Sequence, residues 1–149
     1  MKTYIACLLL ALSGHILAIP VDSIKEDQTH FSMRYLIGRG VPRDATYAFH
    51  QLLEAANHND PLAQNEIAYL YLSGKGCVQS AEKAFEYYQK AAKHNLASAQ
   101  YNLGLLYQYG VGHAPDAALA CTWLTQAAAL GFEPAKQAFT RYCHVSSSS

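Results

Sequence analysis

The sequence is 149 residues long, and 11 lysines and arginines balance 11 aspartates and glutamates for a formal charge of zero. That length suits one domain. The balance excludes the basic footprint of a nucleic-acid binder and bulk attraction to anionic membranes.

The first 18 residues differ from the rest. Lys2 gives a short positive start, Ile5 to Leu12 is an apolar run, and Ile16-Leu17-Ala18 ends on a small residue before Ile19-Pro20. This pattern predicts a secretory signal peptide over 1–18, cleaved after Ala18. The run is shorter than the roughly 20 apolar residues of a membrane span, and no second run follows, so no integral membrane segment is expected. His15 stands where a lipoprotein signal needs Cys, which argues against a lipid anchor. The expected location is therefore periplasmic or secreted. Losing Lys2 would leave 10 basic against 11 acidic side chains. Residues 19–26 read as a linker.

From there the chain repeats every 36 residues. Ala55-Ala56 returns as Ala91-Ala92 and Ala127-Ala128. Gly38 returns as Gly74 and Gly110, Gly40 as Gly76 and Gly112, Tyr35 as Tyr71 and Tyr107. A fixed period of this size marks a solenoid, whose units bury their apolar faces by stacking. The units fall at 27–62, 63–98 and 99–134. In each, a first helix (helix A) carries small and apolar residues at helical spacing, such as Ala63, Ile67, Ala68 and Tyr71. A second (helix B) carries Ala84, Tyr87, Tyr88, Ala91 and Ala92 or their equivalents. Gly38, Gly74 and Gly110 suit the left-handed stop of helix A. Asp44, Ser80 and Asp116 suit the N-cap of helix B. Asn59, Asn95 and Gly131 suit the turn after it. Asp60-Pro61 opens the second helix A.

The predicted helices are 28–37, 45–58, 61–73, 81–94, 97–109 and 117–130, followed by a last helix near 134–143, and the segment 135–145 is assigned as the cap. A polar tail occupies 146–149. The fold class is all-α: an α/α solenoid of three helical hairpins plus a C-terminal cap.

The combination of Ala99, Leu103, Gly104, Tyr107, Gly110, Gly112, Asp116, Ala120, Trp123, Ala127, Ala128 and Gly131 resembles the Sel-one-like repeat family, a relative of the tetratricopeptide repeat. The 36-residue period and the Gly-x-Gly loop favour it over the 34-residue tetratricopeptide type. The first repeat departs from the pattern, with Gln51 where Tyr87 and Trp123 stand and Asp27 where Ala63 and Ala99 stand. The resemblance implies an adaptor that binds a protein or peptide, in the envelope or at a host interface, with helix A lining the concave surface. The stripe opposite the buried face of helix A then becomes the candidate groove. Its residues are Met33 and Leu36, then Asn65, Tyr69 and Leu72, then Tyr101, Leu105 and Gln108. Aromatic anchors with amides to fix register suit such a surface. The competing view of these positions is packing against neighbouring helices.

No catalytic residue, cofactor or metal is expected. Ser80-Ala81-Glu82-Lys83 matches the S-x-x-K nucleophile motif of penicillin-recognising enzymes, but its companion motifs are missing from the sequence. A cell-envelope, β-lactamase-like hydrolase is the alternative function. Self-association through the ends is a third possibility. After signal removal three cysteines remain: Cys77, Cys121 and Cys143. Cys121 precedes Gly131 by 10 residues and Cys143 follows it by 12, so an antiparallel hairpin brings them together. The expected disulfide is Cys121–Cys143, with Cys77–Cys121 as its rival. Small exported relatives usually close one bond within each repeat, a pattern this chain does not keep.

Overall fold

The computed structural model describes residues 28–143 apart from 41. The signal and linker readings over 1–26, and the tail at 146–149, lie outside the described residues. Seven helices follow one another: α1 Gln28–Ile37, α2 Ala45–Asn57, α3 Pro61–Ser73, α4 Ala81–Lys93, α5 Ala97–Tyr109, α6 Ala117–Ala129 and α7 Glu133–Tyr142. The odd-numbered helices are the A helices and the even-numbered ones the B helices. No strand occurs among the described residues. The all-α solenoid is as expected, with each helix boundary within about one residue of the sequence reading.

Local chemistry sets the boundaries. Asp44, Ser80 and Asp116 each accept a hydrogen bond from the backbone N–H three residues on, at Tyr47, Lys83 and Leu119. Asp60 caps α3 through the Leu62 N–H, with Pro61 in the first turn. Gly74 and Gly110 end α3 and α5 in the left-handed region, and Asn59 and Asn95 make the same turn after α2 and α4. The helices α5 and α7 start without a side-chain cap, at Leu96 and Phe132.

The second glycine of each Gly-x-Gly loop has a further role. A Cβ on Gly76 would lie 2.1 Å from the Ala45 carbonyl oxygen, and one on Gly112 would lie 2.1 Å from that of Ala81. Each loop thus presses its bare backbone against the first turn of helix B in the preceding repeat. Among the described residues, a Cβ on Gly40 would meet only the Arg34 guanidinium within 4 Å.

Helix contacts of any extent join chain neighbours, from α1 with α2 through to α6 with α7. This is the quasi-one-dimensional packing of a solenoid. One core cluster gathers Phe49, Leu52, Ile67, Leu70 and Tyr71; the next gathers Phe85, Tyr88, Leu103, Leu106 and Tyr107. Ala48, Ala84 and Ala120 are fully buried, as are Ala63, Ala99 and Ala135. Small residues at these points let the helices approach closely, and burial of each large aliphatic side chain adds about 1.5–3 kcal/mol.

Between repeats the same contact recurs in two chemistries. Phe49 meets Tyr71 edge-on at 5.3 Å, and Phe85 meets Tyr107 edge-on at 5.1 Å. One repeat later these positions are Cys121 and Cys143, joined as a disulfide with Cα atoms 5.6 Å apart and the same sequence separation of 22. The bond thus replaces the aromatic pair where the array ends. It ties α7, whose buried residues are only Ala135 and Ala138, to α6. Cys77 is free and half-buried.

Candidate functional site

The A helices carry the candidate groove, and its residues divide into three environments. Met33, Leu36 and Tyr69 line a cavity of about 380 Å³ between α1 and α3, together with Ile37, Arg43, Ala45, Glu66, Leu70 and Lys75. Tyr101 and Leu105 line a second cavity of about 270 Å³ between α5 and α7, with Tyr109, Pro134, Gln137, Ala138, Arg141 and Tyr142. The remaining three residues line neither cavity. Asn65 accepts a hydrogen bond from the Asn102 amide and donates one to Glu66, linking α3 to α5. Leu72 packs against both core clusters, as the competing view of the stripe anticipated. Gln108 is half-buried, and its side-chain oxygen is closed off from solvent.

The two cavities are one repeat site seen twice. Met33, Ile37, Glu66, Tyr69 and Leu70 in the first correspond, 72 residues on, to Leu105, Tyr109, Ala138, Arg141 and Tyr142 in the second. The backbone frame is therefore shared, while the side chains differ. In the first cavity Tyr69 stays exposed, and the Lys75 ammonium both lies 4.9 Å from its ring centre and donates to its hydroxyl. Burial pushes the Glu66 carboxyl above its usual range, and the Asn65 hydrogen bond opposes this. In the second cavity the Tyr109 and Tyr142 hydroxyls are hydrogen-bonded. That bond raises Tyr109 and lowers Tyr142, and Arg141 lowers Tyr142 further. Either hydroxyl can donate in this bond, and the pair keeps one hydroxyl hydrogen for another acceptor. Tyr101 rests against Phe132 at 5.4 Å.

The sequence reading passed over Ile37, Glu66, Tyr109, Gln137, Arg141 and Tyr142. Adding 36 repeatedly to Met33 reaches Tyr69, Leu105 and Arg141, so the repeat itself carried the signal. The first three members of that row stand in the sequence-derived groove, and only Arg141 was missed, because α7 was treated as a cap rather than as a fourth helix A.

The S-x-x-K segment is built as a helix cap. The Ser80 hydroxyl accepts from the Lys83 N–H and donates to Glu82, while the Lys83 ammonium sits 5.2 Å from the centre of the Tyr71 ring. Nothing in this geometry supports the hydrolase alternative. His58 and His94 end α2 and α4, and His113 stacks on Phe85 at 4.8 Å. Burial raises the Cys77 thiol above its usual range, with Lys83 pulling it back. Among the described residues no group of three or more His, Cys, Asp or Glu side chains could hold a metal ion. No helix among them is long and apolar enough to cross a membrane.

The Sel1 repeat family model matches three times, at residues 32–60, 61–96 and 97–132. The chain belongs to the Sel1 repeat family. A crystal structure of a Sel1 repeat protein from Oxalobacter formigenes superposes with a TM-score of 0.70 at 36% identity, covering 77% of this chain and 86% of that one. A second similar structure is c5321, a protective antigen present in uropathogenic Escherichia coli strains that displays an SLR fold. There the TM-score is 0.68 and the identity 29%, over 70% of this chain but only 22% of the antigen. No curated protein matches the chain. Sel1 repeat proteins generally mediate protein–protein interaction and are typically non-catalytic scaffolds.

Proposed function

We propose that this protein is an exported, non-catalytic adaptor that holds a peptide or protein partner along its A helices. The observation that carries this reading is one open cavity at the same repeat position in two places, between α1 and α3 and between α5 and α7. Two equivalent cavities on one face, each with a tyrosine in its lining, supply separated anchors, which suits an extended chain better than a compact metabolite. The signal-like residues 1–18 support export. The likeness of part of a protective antigen of uropathogenic strains supports a role at the envelope or host interface.

The test is capture from an envelope fraction of the source organism by the oxidised protein, run beside a Tyr69→Ala, Tyr101→Ala variant. The expected result is a partner held by the wild type and lost by the folded variant. Equal capture by both would remove the A-helix groove from the account. Oligomers of the wild type alone, with no other partner, would favour self-association.

A further inference from the structure

We infer that the cavity between α5 and α7 is a receptor for the carboxylate of an aspartate or glutamate side chain, within an extended peptide whose apolar residue fills the cavity between α1 and α3. This rests on the A-helix reading above and specifies the partner's chemistry.

Charge complementarity carries the assignment. Among the described residues, Arg141 is the one charged residue in the lining of the α5–α7 cavity. It is exposed, and among the described residues no carboxylate stands within ion-pair distance of it. The described residues around it add hydroxyls and an amide and no acid: Tyr101, Tyr109, Tyr142 and Gln137. Tyr109 and Tyr142 share one hydrogen bond in which either hydroxyl can donate, so one hydroxyl hydrogen of the pair is left for a ligand alongside the guanidinium. A planar guanidinium fork beside a phenol matches a carboxylate, which takes paired hydrogen bonds from arginine. Side chains on helix faces supply these donors. A chain terminus is more often held by a cradle of backbone N–H groups, so an acidic side chain is the ligand assigned.

The equivalent cavity differs. At the repeat position of Arg141 it has Tyr69, and at that of Ala138 it has Glu66. Its two cations, Arg43 and Lys75, share the lining with this acid, whereas Arg141 shares its lining with none among the described residues. Its apolar wall of Met33, Leu36, Ile37 and Leu70 suits an aliphatic or aromatic side chain instead. The two cavities are two repeats apart, about 20 Å at helix spacings of 8–10 Å. An extended chain covers that in about six residues at roughly 3.3 Å each. One peptide therefore reaches both.

The probe is a randomised, C-terminally amidated octapeptide pool, enriched on the full oxidised protein and sequenced. The expected pool places Asp or Glu about six residues from Leu, Ile, Met or Phe. An enriched peptide labelled with fluorescein should lose about tenfold or more in affinity when its acid becomes the amide, as expected for a hydrogen-bonded charge. Arg141→Gln should cause a similar loss and abolish the difference between acid and amide peptides. Arg141→Lys should fall between the two. Tyr69→Ala should weaken both peptides alike. Binding that Tyr69→Ala weakens but that ignores both the acid and Arg141 would overturn the carboxylate receptor and leave the groove reading standing. Enrichment of no peptide would overturn both.

Discussion

Replacing Cys121 and Cys143 by serines, or by the residues that stand at their positions in earlier repeats, tests the packing logic of the array. The variants are Cys121→Ser with Cys143→Ser, and Cys121→Phe with Cys143→Tyr. Closing a loop across 22 residues stabilises by about 3 kcal/mol through the restricted unfolded chain. The serine pair should lose about that much. An edge-on aromatic pair contributes about 0.5–1.5 kcal/mol beyond its burial. The Phe/Tyr pair should therefore recover about 1 kcal/mol, because Phe49–Tyr71 and Phe85–Tyr107 already occupy this geometry. The loss should concentrate in α7, which has little other buried surface. Thermal melting by circular dichroism reads the total, and hydrogen exchange of the α7 amides reads the location. Unchanged α7 exchange in the serine variant would refute the clamp. A Phe/Tyr variant no more stable than the serine one would refute the equivalence of disulfide and aromatic pair.

Three further outcomes are expected. Gly112→Ala should destabilise by about 3 kcal/mol or more, since it combines a positive φ of 72° with a 2.1 Å approach to the Ala81 carbonyl oxygen. Gly40→Ala, with only a side-chain end nearby, should cost less; equal losses in chemical denaturation would count against the loop contact. Asp116→Ala should cost about 1 kcal/mol through loss of the Leu119 N–H cap, measured the same way. Glu66→Gln should change the pH dependence of stability. The Glu66 carboxyl has a raised folded pKa, so the folded state holds its proton longer than the unfolded chain. Stability from this group is full below the ordinary carboxylate range and falls as pH rises through the raised value. The variant should thus gain in melting temperature at pH 7 relative to wild type and gain less near pH 4; a constant difference would contradict the burial argument.

The fold was legible because its signals are local and repeated. Asp44, Ser80 and Asp116 mark helix starts, and Gly74 and Gly110 mark stops, through hydrogen bonds and backbone angles spanning only a few residues. Three copies of each signal reinforced one another. The groove was less legible. Helical spacing identifies a face of α3 but not which neighbour covers it, so Leu72 and Tyr69 shared one stripe although Leu72 packs on the core and Tyr69 is exposed. Asn65 and Gln108 were ambiguous for the same reason, since an amide suits a groove or a helix–helix contact equally. Arg141 escaped notice because the repeat phase was not extended into α7. The second glycine of each loop was recognised as punctuation, but its contact with the previous repeat depends on tertiary stacking.

The central claim is that a partner lies along the A helices. Its most direct measurement is positional photocrosslinking, with benzoylphenylalanine placed singly at Tyr69 and Tyr101 on A helices and at Lys93 on a B helix. These sites are exposed or half-buried, so each should accept the label without unfolding the protein. The account predicts that one and the same partner crosslinks from positions 69 and 101 and not from 93. Crosslinking of that partner from 93, with none from 69 or 101, would contradict it.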